Sequence, residues 1–152
     1  MPINKKDYIF VFLQFLLFIA FIFKVDEALE LPGEIMPFGI LLFLIGGLLI
    51  LISFLQLNKN LSPFPTPKAN NELIQTGIYK HIRHPIYTGI ILVFFGFSLF
   101  YSSCYKLVIS IALTLLFYFK SKYEESCLEE KFSTYKSYRD KTGRFLPKIF
   151  NQ

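Results

Sequence analysis

Residues 79–89 read YKHIRHPIYTG, and the uncharged run IILVFFGFSLFY follows directly. Arg83 is a permanent cation whose planar fork can grip a carboxylate or phosphate with two hydrogen bonds. Pro85 suits the first turn of a helix. The free N–H groups of that turn, with the helix dipole behind them, favour an anion. Tyr79 and Tyr87 offer flat faces to a heterocycle or a cation, and Gly89 lets a ligand approach the helix backbone. Further along, Glu124 and Glu125 close an apolar stretch, where carboxylates usually face a partner or a cavity rather than lipid. The same residues would also serve as an interfacial belt and a pair of surface acids. His81 and His84 stand three apart, but no cysteine or carboxylate in their segment completes a ligand set, so no metal is expected.

The elements that must position these residues are membrane helices. Of 152 residues, 53% are hydrophobic and 18% aromatic, with 19 phenylalanines; the mean hydropathy is +0.46. That is too apolar for a soluble domain of this size. Tyr8 to Phe23, Met36 to Leu57 and Pro85 to Tyr105 are uncharged, and a bilayer core takes roughly 20 apolar residues as helix. Leu107 to Phe119 makes a fourth span, extended to Tyr123 if Lys120 and Lys122 send their ammonium groups up to the interface. Lys5 and Lys6 precede the first run as in a signal peptide, but no small-residue cleavage site follows, so it reads as a retained helix. Beyond Tyr123, apolar residues Cys127, Leu128, Phe132, Tyr135 and Tyr138 recur at helical spacing, an amphipathic continuation of helix four stopped near Gly143. The expected fold is an all-α integral membrane protein with four transmembrane helices and a C-terminal amphipathic helix extending the fourth. It forms one domain, residues 1–152: 1–57 supplies the first two helices and 58–148 the half that carries the site.

Charge sets the topology. The loop KVDEALELPGE carries four acids and one lysine, whereas the 58–84 loop and the stretch after Phe119 are rich in lysine and arginine. The positive-inside rule then puts both termini and the candidate site on the cytoplasmic side. Helices three and four, joined by the short YSSCYK, lie antiparallel and adjacent, so RHPIYTG faces KYEESCLEE across one interfacial site. Pro63, Pro65 and Pro67 forbid helix in the approach. That approach reads as an extended segment along the membrane surface, with a short turn capped by Asn70 or Asn71 and ended by Gly77. Cys104 and Cys127 read as ordinary apolar residues. The basic stretch suits anionic headgroups; the bilayer and a lipidic substrate are the expected partners, with no nucleic acid.

An anion pocket, an anionic residue and aromatic walls suit a zwitterionic, heterocycle-bearing cofactor such as S-adenosylmethionine, though other cofactors have the same parts. The chain also resembles the isoprenylcysteine carboxyl methyltransferase family and its phospholipid methyltransferase relatives. The resemblance is carried by GIYKHIRHPIYTG (77–89), EESCL (124–128) and YKSYRDKTGRFLP (135–147); it covers about residues 58 to 148. It implies methyl transfer from S-adenosylmethionine to a lipidic acceptor, with cofactor-binding positions falling on Tyr79, His84, Tyr87, Gly89, Glu124 and Glu125. Arg83, Arg139 and Arg144 are then candidates for holding an acceptor carboxylate, and Glu125 and Arg83 the candidate catalytic pair.

Carboxyl O-methylation of an isoprenylcysteine-like substrate is the leading reading. A carboxylate is ionised at neutral pH and needs positioning rather than a base. A phospholipid amine, the alternative acceptor, must lose a proton to Glu125 or His84. An NADPH-dependent lipid or sterol reductase and a non-catalytic membrane adaptor are the readings from other classes.

Overall fold

The computed structural model describes residues 3–23, 32–57, 60–68 and 70–148. Its helices are α1 (Lys5–Ile22), α2 (Ile35–Leu57), α3 (Pro85–Phe100), α4 (Cys104–Lys131) and α5 (Tyr135–Lys141), with a 3-10 turn at Gly77–Lys80. Among the described residues the one extended pairing is an isolated parallel bridge between Ile82 and Gly143. α1 starts earlier than its apolar run because Asn4 and Asp7 form a capping box: Asn4 Oδ1 accepts from the Lys5 N–H and Asp7 Oδ2 from the Asn4 N–H, both at 2.7 Å. α3 begins at Pro85 but stops at Phe100 rather than running to Tyr105. A turn at 101–103, with Ser102 at φ 47°, reverses the chain, and Ser103 caps α4 by accepting from the Lys106 N–H.

α4 continues past its apolar run to Lys131, so the extension of helix four is there. It does not reach Tyr138 as one helix. Phe132 is extended, and the chain doubles back into α5. The physical reason is burial of Tyr135 and Tyr138. Tyr138 Oη donates to the Tyr79 carbonyl at 2.6 Å, a contact a straight helix would carry out of reach. The turn expected after Asn70 does not form; residues 71–75 have no regular structure, and Gly77, at φ 59°, opens the 3-10 turn instead of closing a helix.

The helices pack as a row, α2 on α3, α3 on α4, α4 on α1. The α2–α3 seam is the tightest. A Cβ on Gly46 would sit 2.6 Å from the Gly89 carbonyl oxygen, and one on Gly39 would sit 2.8 Å from that of Gly96. Glycine seven apart on both helices brings the backbones together, the usual device where lipid offers no hydrophobic drive. α2 and α4 are long and apolar enough to cross a membrane. α3 is apolar but has 16 residues, and α1 has charges in its first turn. Only 17% of the most apolar stretch of α2 is buried, whereas a soluble core helix would be mostly covered. Large apolar side chains of α1, α2 and α4 point outward along their lengths, far beyond the patches a soluble monomer carries. Such a surface belongs in a membrane. The acidic residues Asp26, Glu27 and Glu30, and Lys59, on which part of the topology rests, lie outside the described residues.

Candidate active site

The start of α3 and the stretch of α4 beyond its apolar run stand side by side, and their polar residues meet around one buried carboxylate. Glu125 Oε1 accepts from Arg83 Nε at 2.9 Å and Arg144 Nε at 3.2 Å, and lies 3.1 Å from His84 Nε2. Its Oε2 accepts from Arg144 Nη2 at 2.8 Å. Two segments thus converge on one acid of a third. What delivers Arg144 is a stitched return of the chain after α5. The Arg83 and His84 N–H groups donate to the Gly143 and Arg144 carbonyls at 2.9 and 3.1 Å, and the Gly143 N–H donates to that of His81 at 3.1 Å. Thr88 Oγ1 donates to the Phe145 carbonyl at 2.8 Å.

Arg83 is largely spent in this frame. Its Nη1 donates to the Arg139 carbonyl at 3.1 Å and to Thr142. The two Nη2 protons have no partner among the described residues. Glu124, by contrast, is bound lightly: Tyr87 Oη donates to its Oε2 at 2.8 Å, and His84 Nδ1 lies 3.8 Å from the same oxygen. The Tyr87 ring lies parallel to both neighbours, stacked between His84 (5.4 Å, 1°) and Phe117 (4.6 Å, 6°), which fixes the imidazole plane.

Two cavities flank this cluster. One of about 100 Å³ is walled by the proline segment and α5, with Phe64, Phe132, Tyr135 and Tyr138 on its lining. The other, of about 260 Å³, lies toward α1 and is lined by Gln14, Leu57, Ile86, Tyr87, Ile90 and Lys120. Tyr79, Arg83, His84 and Glu124 line both. Burial, then the Glu124 charge, pushes the Tyr79 phenol well up, and burial pushes Tyr138 up to about 12. Burial and then the Glu125 charge raise Tyr135 as well. All three stay neutral donors. Tyr135 Oη is buried and has no hydrogen-bond partner among the described residues.

Of the residues singled out from sequence, Arg83, His84, Tyr87, Glu124, Glu125 and Arg144 are brought into one hydrogen-bonded cluster, with Tyr79 on its cavity wall. Gly89 lies elsewhere, against Gly46 and Ile50 of α2, and lines neither cavity. The Arg139 guanidinium pairs with Glu129 at 2.8 Å near the surface. Lys120 does not rise to the interface. It is buried, donating to Gln14 Oε1 at 2.6 Å and to the Pro63 carbonyl at 2.8 Å. The proline segment is free of helix as expected, but it bends at 63–66 instead of running extended, and Pro65, Thr66 and Pro67 are buried rather than laid on a membrane surface. Thr66 donates to buried Asp7 through its N–H (2.8 Å) and its hydroxyl (2.9 Å). Asp7, Gln14, Lys120 and Tyr135 escaped the sequence reading. Asp7 and Gln14, seven apart, are the polar positions of one face of α1, a pattern that marks an inward-facing stripe. Nothing in the sequence marks Tyr135 off from its neighbouring tyrosines.

Residues 35–135 match the model of the phospholipid methyltransferase family. A search of curated proteins finds no match.

Proposed function

The chain belongs to the phospholipid methyltransferase family, which includes isoprenylcysteine carboxyl methyltransferases, and we propose that it is an integral membrane enzyme that moves a methyl group from S-adenosylmethionine to a lipid-borne acceptor. The observation that carries this reading is the pair of cavities sharing one charged wall at His84 and Glu124: a two-substrate reaction needs two chambers with one meeting point. The smaller chamber offers the cofactor matching chemistry, and at about 100 Å³ it takes one end of the molecule, the rest reaching past the shared wall, since a ligand of this size fills roughly 300 Å³ or more. The chamber has aromatic walls for the heterocycle, the lightly bound carboxylate of Glu124 for a cationic centre, and in Tyr135 a buried hydroxyl that lacks an acceptor among the described residues. When bound, the cofactor supplies a methyl group on a cationic sulfur.

The residues of this chain then bind, orient and exclude water. Glu125, already saturated by Arg83, His84 and Arg144, holds the wall in place rather than taking protons. Arg83 keeps Nη2 for a ligand anion. The apolar lining of the larger cavity, Leu57, Ile86 and Ile90, suits a lipid chain entering sideways. A carboxylate acceptor needs no base here, which favours carboxyl methylation of a prenylcysteine-like substrate. The second reading, a phospholipid amine, draws on the one group that could pass a proton on: His84, set between the two glutamates.

We read all four long helices as spanning. The 16 residues of α3 reach about 24 Å at 1.5 Å per residue, short of a core of about 30 Å but within what local thinning accommodates. The last turns of α4 then stand in the cytoplasm with both termini. The test is binding of labelled S-adenosylhomocysteine to the detergent-solubilised protein, with methyl incorporation into extracted lipids and farnesylcysteine analogues. Micromolar binding, weakened at least tenfold in Glu124→Gln, is expected; NADPH binding in its place would point to a reductase, and binding of neither to a non-catalytic protein.

A further inference from the structure

Lys120 is a buried ammonium group without a counter-ion among the described residues. It is 1% exposed, yet both its acceptors are neutral, an amide oxygen and a backbone carbonyl. No carboxylate stands within ion-pair distance of it among the described residues. Its ammonium carries three protons: two go to these acceptors, and beyond them it meets only the face of Tyr87, with Nζ 5.4 Å from the ring centroid, on the wall of the larger cavity that Lys120 also lines. A buried charge is normally paired or discharged. Of the nearby acids, Asp7 holds Thr66 and the Asn4 N–H, Glu125 holds two arginines, and Glu124, held lightly by Tyr87, lines the same cavity but stands beyond ion-pair distance of Lys120. The remaining place for a compensating anion is the cavity itself, where Arg83 offers its two unused Nη2 protons as well.

We infer that Lys120 is the specificity residue for the acceptor, pairing in the larger cavity with an anionic group carried by the lipid, a carboxylate or a phosphate. This rests on the methyltransferase reading. The two sources of negative charge have different consequences. If the anion is the reacting carboxylate, a carboxylate oxygen forms the new O–C bond while the C–S bond breaks and its electron pair stays on sulfur. The product is a neutral ester, and it leaves a Lys120 that has lost its partner. If the anion is a phosphate beside a reacting amine, its charge survives turnover and the product stays held.

Lys120 also ties α1 to the proline segment, so the test must separate charge from architecture. The full chain in neutral detergent is titrated, with and without S-adenosylhomocysteine, with N-acetyl-S-farnesylcysteine and its carboxamide, and with phosphatidylethanolamine and the matching diacylglycerol. The wild type should prefer one of the two lipids that carry an anionic group, the carboxylate or the phosphate, over its counterpart without it by about tenfold, the scale of one charge-assisted hydrogen bond. Lys120→Met should erase that preference and leave S-adenosylhomocysteine affinity within about twofold. Lys120→Arg should keep most of the preference. Should Lys120→Met fail to fold, Lys120→Gln, which can still donate to Pro63, decides. Loss of the preference for the carboxylate or for the phospholipid names the source of the anion. A wild type that binds the lipids with and without the anionic group alike, or a Gln or Met variant that keeps the preference, overturns the inference. If all ligands weaken together, Lys120 is only a tie and the inference again falls. Absence of S-adenosylhomocysteine binding in the wild type, with the lipid preference intact, would instead sink the methyltransferase reading alone.

Discussion

At the scale of single residues, the two adjacent glutamates have divided their labour. Glu125 accepts from two arginines and meets His84, so its charge is consumed in holding three segments together. Such a buried cluster stabilises only as a set; removing one member strands the others at a cost of about 3–5 kcal/mol. Glu124 keeps its freedom and faces both cavities. Tyr135 is the opposite case, a donor with nothing to donate to among the described residues. Leaving a buried polar group unmade costs roughly 1–3 kcal/mol, and the chain tolerates it at the wall of a cavity. Tyr135→Phe should therefore leave thermal stability unchanged or raise it, while S-adenosylhomocysteine binding weakens by about three- to tenfold, the worth of one hydrogen bond. Differential scanning fluorimetry and equilibrium binding on the same preparation check both halves. A loss of stability with unchanged affinity would make the hydroxyl structural.

At the scale of elements, the seam between α2 and α3 and the return of the chain after α5 do the positioning. A side chain at Gly46 meets backbone atoms at 2.6 and 2.8 Å, which cannot step aside. Gly46→Leu should cost about 1–3 kcal/mol or more by overpacking, seen as a lower unfolding temperature, whereas Gly47→Leu, with nothing within 4 Å, should be silent. Equal effects of the two would mean that α2 does not pack on α3 in this register. Gly143 is similarly constrained, since its Cβ would fall 1.7 Å from the Leu146 carbonyl oxygen, and it lies in the stretch that brings Arg144 to Glu125. This explains what could be read from sequence. The meeting of Arg83 and His84 with Glu124 and Glu125 was legible, because charges stand out in an apolar chain and a short hairpin leaves one way to bring them together. The inward turn of Lys120 was not. A lysine near a helix end reads as a snorkelling anchor until its acceptors, Gln14 and the Pro63 carbonyl, are known, and both come from distant segments. The ending of α4 at Lys131 was hidden for a related reason: the spacing of Tyr135 and Tyr138 fits a continued helix as well as a separate one.

At the scale of the whole molecule, the bare apolar sides of α1, α2 and α4 and the basic end of the bundle state an orientation. Lysines and arginines concentrate at the end of α4 and beyond it, around Lys122, Lys131, Lys136 and Lys141, and the orientation proposed above sets this end in the cytoplasm by the positive-inside rule. In a cysteine-free background, Ser137→Cys should react with an impermeant maleimide only after the cells are opened, and Gly33→Cys should react in intact cells. Both positions are exposed. The reverse pattern would move the site to the outer face and deprive it of cytoplasmic S-adenosylmethionine.

The row of helices is also fastened unevenly. α2 and α3 are pressed backbone to backbone, whereas α1 is held by ring contacts, Phe10 on Tyr123 and Phe18 and Phe21 on Phe94, and by directional bonds at three heights: Asp7 with Thr66, Gln14 with Lys120, and Tyr105 with the Ala20 carbonyl at 2.9 Å, joined there by Lys106. Bonds of that kind are firm while water is kept away and weak once it competes. Purification therefore becomes part of the chemistry. A short-chain, wet micelle would release α1 first and strip one wall from the acceptor chamber, leaving a preparation that looks folded by helix content and has forgotten which lipid it prefers.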